Sequence, residues 1–148
     1  MRAVLFTVLV GCSGGSSAVP LFSADYASSF VEVRPCRGST DHDLNHVRVL
    51  ADPVGLDAYA MRTVPFPTGS VILKEEYDPA DATCQGPVMS WTVMVKLALD
   101  SSPTTLDWHW QRVDMGRNVV TDNDPRCSAC HKRCGVPPDG YAGTCEVP

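Results

Sequence analysis

Between residues 45 and 114 the apolar residues recur in short runs separated by Pro, Gly and Asp, with no internal repeat and no long amphipathic helix. Residues 45–50 (NHVRVL) and 70–77 (SVILKEEY) read as strands. Asp52-Pro53 supplies an N-cap followed by an N1 proline and predicts a short helix to about Met61, and PFPTG at 65–69 predicts a turn. Residues 89–99 alternate, with Met89, Trp91, Val93, Val95 and Leu97 on one face and Thr92 and Lys96 on the other. Residues 105–114 put Trp108, Trp110 and Arg112 on a common face. The pattern predicts a mainly β fold, a small antiparallel sheet domain with one wet face and a few short helices. The final 25 residues hold four of the seven cysteines and give no regular element, so they read as a cysteine-rich loop region.

Composition narrows the classes of function. The chain has 148 residues, 44% hydrophobic and 20% charged, enough for one core and too apolar for disorder. Twelve Lys+Arg against 17 Asp+Glu give a net charge of -5, which argues against a nucleic-acid partner, since that needs a basic face. No apolar run reaches the roughly 20 residues of a membrane span. Met1 to Val10 is a basic start followed by an apolar stretch, and Leu9-Val10-Gly11-Cys12 resembles a bacterial lipobox, with an ordinary signal peptide as the alternative. The expected division is a signal peptide over 1–11, a flexible tether over 12–20 that starts at a lipidated Cys12, and a domain over 21–148. Removal of 1–11 takes away Arg2 alone, so 11 basic and 17 acidic residues remain, a net charge of -6. The protein is thus expected to be exported, as a periplasmic or outer-membrane lipoprotein that meets the membrane through its lipid only.

Cys127-Ser128-Ala129-Cys130-His131 carries the chemistry. Two thiols separated by two residues can form thioethers to the two vinyl groups of one porphyrin, and the adjacent histidine can then bind the iron. One covalent haem c is the expected cofactor. Two other readings compete: a zinc site built from Cys127, Cys130, Cys134 and Cys145, and a thioredoxin-like pair, which wants a βαβ context. With Cys12 lipidated and two cysteines on haem, Cys36, Cys84, Cys134 and Cys145 remain. Of their three pairings, Cys134–Cys145 would staple the loop after the haem motif and Cys36–Cys84 would join distant segments; this pairing is favoured.

Three stretches together resemble the cytochrome P-460 family, which includes the cytochromes c′-beta. They are Pro67 to Glu75, Asp107-Trp108-His109-Trp110, and Cys127 to Lys132 followed by Asp139 to Thr144. His46 to Tyr59 is also similar to the family's strand and short-helix passage, so the likeness runs from about 42 to 145. The resemblance implies a small antiparallel β fold, often dimeric, around a c-type haem with one open axial position. It implies Cys127 and Cys130 as thioether cysteines, His131 as the iron ligand and Lys74 as the residue bonded to the porphyrin edge in catalytic members. It further implies hydroxylamine oxidation to nitric oxide or nitrous oxide, or nitric oxide binding without turnover, in contact with a periplasmic redox partner. A plain electron carrier is the third possibility, its sixth ligand drawn from His42, His46, His109, Met89 or Met94. Oxidation of hydroxylamine calls for a proton acceptor, for which Glu75, Asp122 and Asp124 are the carboxylate candidates.

Overall fold

Period-two alternation commits a strand to a sheet, and here each strand pairs with its chain neighbour, even across the helix-bearing connection from β2 to β3. The computed structural model describes residues 18–135 and 140–145. Its strands are β1 (Val31–Gly38), β2 (His46–Ala51), β3 (Val71–Tyr77), β4 (Ser90–Lys96), β5 (Trp108–Asp114) and β6 (Val119–Asp122). They pair antiparallel in the order β1-β2-β3-β4-β5-β6. Two short helices, α1 (Leu56–Met61) and α2 (Pro125–His131), and 3-10 turns at Tyr26–Ser28, Pro103–Thr105 and Lys132–Cys134 complete the order. The fold is mainly β, as the alternation predicts. The signal segment, Cys12 and the tether as far as Ser17 lie outside the described residues, as does Asp139.

Four features depart from the sequence reading. The sheet has no wet face. On one side Val49, Ala51, Ile72, Met94, Trp108 and Trp110 form a core with Ala58 and Tyr59 of α1 and with Phe66. On the other, Leu73, Trp91, Val93 and Val113 are covered by Phe22 and Tyr26 from the segment before β1. Alternation shows that successive residues face opposite ways; it does not show that one side lacks a cover. The strand expected over 89–99 is shorter, and Met89 stands 45% exposed outside it.

The edges β1 and β6 carry no alternation strong enough to read. β1 holds Pro35 and two irregularities of register, which a central strand would not tolerate. Asp52 does not cap α1, whose N-cap is Gly55. Its carboxylate instead accepts from Gly55 N at 2.8 Å and Val71 N at 2.9 Å, tying the turn before α1 to the start of β3. The same Asp-Pro signal does operate at Asp124-Pro125: Asp124 accepts from Arg126 N, Pro125 opens α2, and the haem motif lies on a helix rather than in a loop.

Disulfides join Cys36 of β1 to Cys84 in the β3–β4 connection, and Cys134 to Cys145. The first ties an edge strand to a distant loop, restricting the unfolded chain. Replacing both Cys36 and Cys84 by Ala should lower stability by about 2–4 kcal/mol, read from denaturant unfolding followed by circular dichroism. Cys134→Ser should release Cys145 as a titratable thiol, which a thiol assay on the folded protein will count.

Candidate functional site

Helix α2 ends in the three residues that matter. Cys127 and Cys130 are separated by three positions and therefore lie on one side of the helix, Cys127 half-buried against the core and Cys130 exposed, both as free thiols. His131 closes the helix. Its Nδ1–H donates to the carbonyl of Gly143 at 2.6 Å, which fixes the tautomer and leaves the Nε2 lone pair for a ligand. Burial pushes the His131 pKa down to about 4, so the imidazole is neutral at physiological pH. The Trp110 ring lies 4.6 Å from the imidazole, centroid to centroid.

The carbonyl that receives His131 is itself held in place. Residues 140–145 fold into a tight loop, closed by a Tyr141–Thr144 bridge and by the Cys134–Cys145 disulfide. Trp108 Nε1–H donates to Ala142 O at 2.8 Å. Gly140 packs so tightly that a Cβ there would lie 2.3 Å from the Cys134 carbonyl. Gly143 has φ +89°, a conformation that favours glycine.

A pocket of about 420 Å³ opens between α2, this sheet face and the β1–β2 loop, lined by Cys127, Cys130 and His131 on one side and by Lys74, His42, Glu76 and Arg112 on the other. The register explains the second group. Val49, Lys74, Thr92 and Arg112 pair in one row across β2 to β5, and Ala51, Ile72, Met94 and Trp110 in the next. Lys74 Nζ donates to His42 Nε2 at 2.7 Å, and His42 Nδ1–H donates to Glu76 at 3.1 Å. Glu76 also accepts from Ser90 Oγ at 2.6 Å and pairs with Arg112 at 3.5 Å, while Arg112 reaches Asp43 at 3.0 Å. Burial, helped by the Arg37 charge, lowers the Lys74 pKa to about 8. Despite its burial, Glu76 is held below the usual carboxylate range by its bonds to His42 and Ser90.

The carboxylates expected to accept protons are placed elsewhere. Glu75 points to the opposite side of β3, where it accepts from Tyr26 OH at 2.5 Å, Tyr77 OH at 2.7 Å and Arg48 at 2.6 Å. Adjacent strand residues face opposite ways, so Glu75 cannot share the pocket with Lys74. Asp122 is outside the pocket lining, bonded to His109 Nε2 at 2.5 Å and to Gln111. Asp124 lines the pocket, but its carboxylate caps α2 and pairs with Arg126 at 2.6 Å. The other carboxylates that line the pocket are Glu76, Asp41 and Asp43. Of these, Glu76 was legible from parity, because it is two residues from Lys74 on one strand. Among the possible sixth ligands, His42 and Met94 line the pocket, whereas His46, His109 and Met89 do not. The zinc reading fails because Cys134 and Cys145 are disulfide-bonded, and the thioredoxin reading because the sheet is antiparallel throughout.

Free thiols one helical turn apart, a neutral histidine whose second nitrogen is available, and a pocket walled by Trp110, whose buried Nε1–H has no partner, all fit a haem. A mainly β domain built around such a site is a haem cytochrome. The chain belongs to the cytochrome P460 family, whose family model, Cytochrome P460, matches residues 24–135. No curated protein matches it.

The Glu75 network makes its own prediction. Arg48→Met leaves Glu75, 3% exposed at its side chain, without its cation. The cost should be about 3–5 kcal/mol in denaturant unfolding, since breaking a buried pair strands a charge. The haem spectrum should not change, because that network lies on the far side of the sheet.

Proposed function

We propose that this chain is an exported mono-haem c-type cytochrome that oxidises hydroxylamine at an open haem position. The observation that carries the reading is the pairing of two walls in one pocket. On one, His131 is neutral and anchored through Nδ1; on the other is a buried lysine whose pKa is near 8. Cys127 and Cys130 would hold a haem through thioethers and His131 Nε2 would bind its iron. Bound there, the group would supply a site for a small ligand and an electron sink.

The rest is done by the protein. The Gly143 carbonyl aims and polarises His131. Trp110 and Met94 give the pocket an apolar wall that limits water. Lys74 lines the same pocket, which supports the role it has in the catalytic members of the family that the sequence resembles, an amine bonded to the porphyrin edge. Its low pKa supports that role, because only the neutral amine is a nucleophile. Lipidation at Cys12 would hold the domain at the membrane, within reach of a periplasmic redox partner that removes electrons, and the protein would work as a homodimer.

The test is an optical spectrum of protein matured with c-type haem assembly, joined to peptide mass and hydroxylamine turnover. Acid-stable haem, a peptide joining the Lys74 strand to the haem peptide, and hydroxylamine-dependent reduction of an electron acceptor are expected. An ordinary c-type spectrum with Lys74 free and no turnover would leave nitric oxide binding as the better reading. His131→Ala should abolish the axial ligand and shift the Soret band; an unchanged spectrum would refute that assignment.

A further inference from the structure

The pocket contains a titratable group that the proposed function leaves without a task. His42 stands on the β1–β2 loop, where Ser39 N bonds Asn45 O and Asn45 N bonds His42 O, each at 2.9 Å, and where Asp43 and Leu44 adopt positive φ. This tight loop turns the imidazole down onto the pocket face of the sheet. The ring is held at both nitrogens: Nδ1–H donates to Glu76, and Nε2 accepts from Lys74. Glu76 is 1% exposed and is fixed in turn by Ser90 Oγ and Asn45 Nδ2. A buried carboxylate that orients an imidazole through Nδ1 leaves Nε2 as a base directed at whatever lies beyond it. What lies beyond it is Lys74 Nζ and the pocket that also holds Cys127, Cys130 and His131.

We infer that His42, oriented by Glu76, is the proton acceptor for weakly acidic small molecules entering this pocket, and that the neutral Lys74 amine steadies the imidazolium so formed. In the resting arrangement Lys74 donates to Nε2. When a ligand H–X enters, its proton passes to Nε2 and X binds as the anion. The step uses the neutral form of Lys74, which dominates only above about pH 8: the imidazolium keeps Nδ1–H on Glu76, and its new Nε2–H is accepted by the lone pair of that amine. One proton leaves the ligand and one arrives on His42, with no change of oxidation state.

The charges around His42 are balanced for this. Glu76 from β3 and Asp41 and Asp43 of its own loop favour the imidazolium. Arg112 from β5, Arg37 from β1 and a protonated Lys74 oppose it, and across the pocket stand Cys130 and the neutral His131. Arg112 is already engaged by Asp43 and Glu76. Hydroxylamine must lose protons on oxidation, so this inference deepens the proposed function and rests on the open position assumed there; it does not require the bond between Lys74 and haem.

Hydrogen cyanide separates the two ideas, because it gives up its proton on binding and undergoes no redox chemistry. Stopped-flow association of cyanide with the ferric holoprotein at about pH 8.5, where Lys74 is mostly neutral and the probe still mostly undissociated, is compared for wild type, His42→Gln and Glu76→Gln. His42→Gln should slow association by roughly tenfold or more and make the rate rise with pH as free cyanide ion takes over. Glu76→Gln should act in the same direction more weakly, since the glutamine still fills the space but no longer stabilises the imidazolium. Unchanged association in both variants, with unchanged Soret bands, would overturn the inference. Glu76→Gln keeps the test open should His42→Gln not fold. Hydroxylamine turnover is measured on the same samples. Slowed cyanide binding in His42→Gln without turnover in wild type would sustain the relay and remove the oxidase reading. Turnover with association rates independent of His42 would do the reverse.

Discussion

The hydrogen bond from His131 Nδ1 to the Gly143 carbonyl is the contact on which the site depends. It decides which ring nitrogen carries the proton, and so which keeps a lone pair, and it joins the last residue of α2 to a loop twelve residues further on. Everything around that loop restricts where the carbonyl can be. The Cys134–Cys145 disulfide closes it, the Trp108 indole holds the neighbouring carbonyl of Ala142, and Gly140 fits where no side chain could. Burial of the neutral imidazole is tolerated because its Nδ1–H is satisfied by the Gly143 carbonyl. The apolar core beneath, with Trp108 and Trp110 at its centre, is thus both the packing of the sheet and the support of the ligand.

The sheet also separates two polar systems that a lone strand would mix. Along β3 the sequence Lys74-Glu75-Glu76 places its outer members in the pocket and its middle one on the other side. Glu75 has become structural, clamped by Arg48, Tyr26 and Tyr77, and burial, with the bond to Glu75 second, raises the Tyr26 pKa to about 12. Glu76 and Lys74 have become the polar wall of the pocket, with His42 between them. Burial works in opposite senses on the two members of that wall. It pushes the lysine toward neutrality, whereas the donors around Glu76 outweigh burial and keep it ionised. An anionic carboxylate, an imidazole and an amine with its pKa lowered to about 8 form a row along which a proton can be held at more than one place.

What the sequence by itself determined is local and covalent. Alternation locates the central strands, the C-x-x-C-H spacing picks out two thiols and a histidine without the helix that carries them, and the cysteines left over favour the pairs that the structure contains. A local signal lacks its context: Asp-Pro at Asp52 suggests a helix start, yet the carboxylate ties a turn to β3, whereas the same pair at Asp124 caps α2. Only the tertiary structure decided what alternation cannot carry: which face of the sheet receives α2, and which loop turns a histidine onto that face. These choices depend on contacts between residues far apart in the chain, such as His42 with Lys74 and Glu76, or His131 with Gly143. Proton position and charge state follow from burial and hydrogen-bond partners, which exist only once the chain has folded.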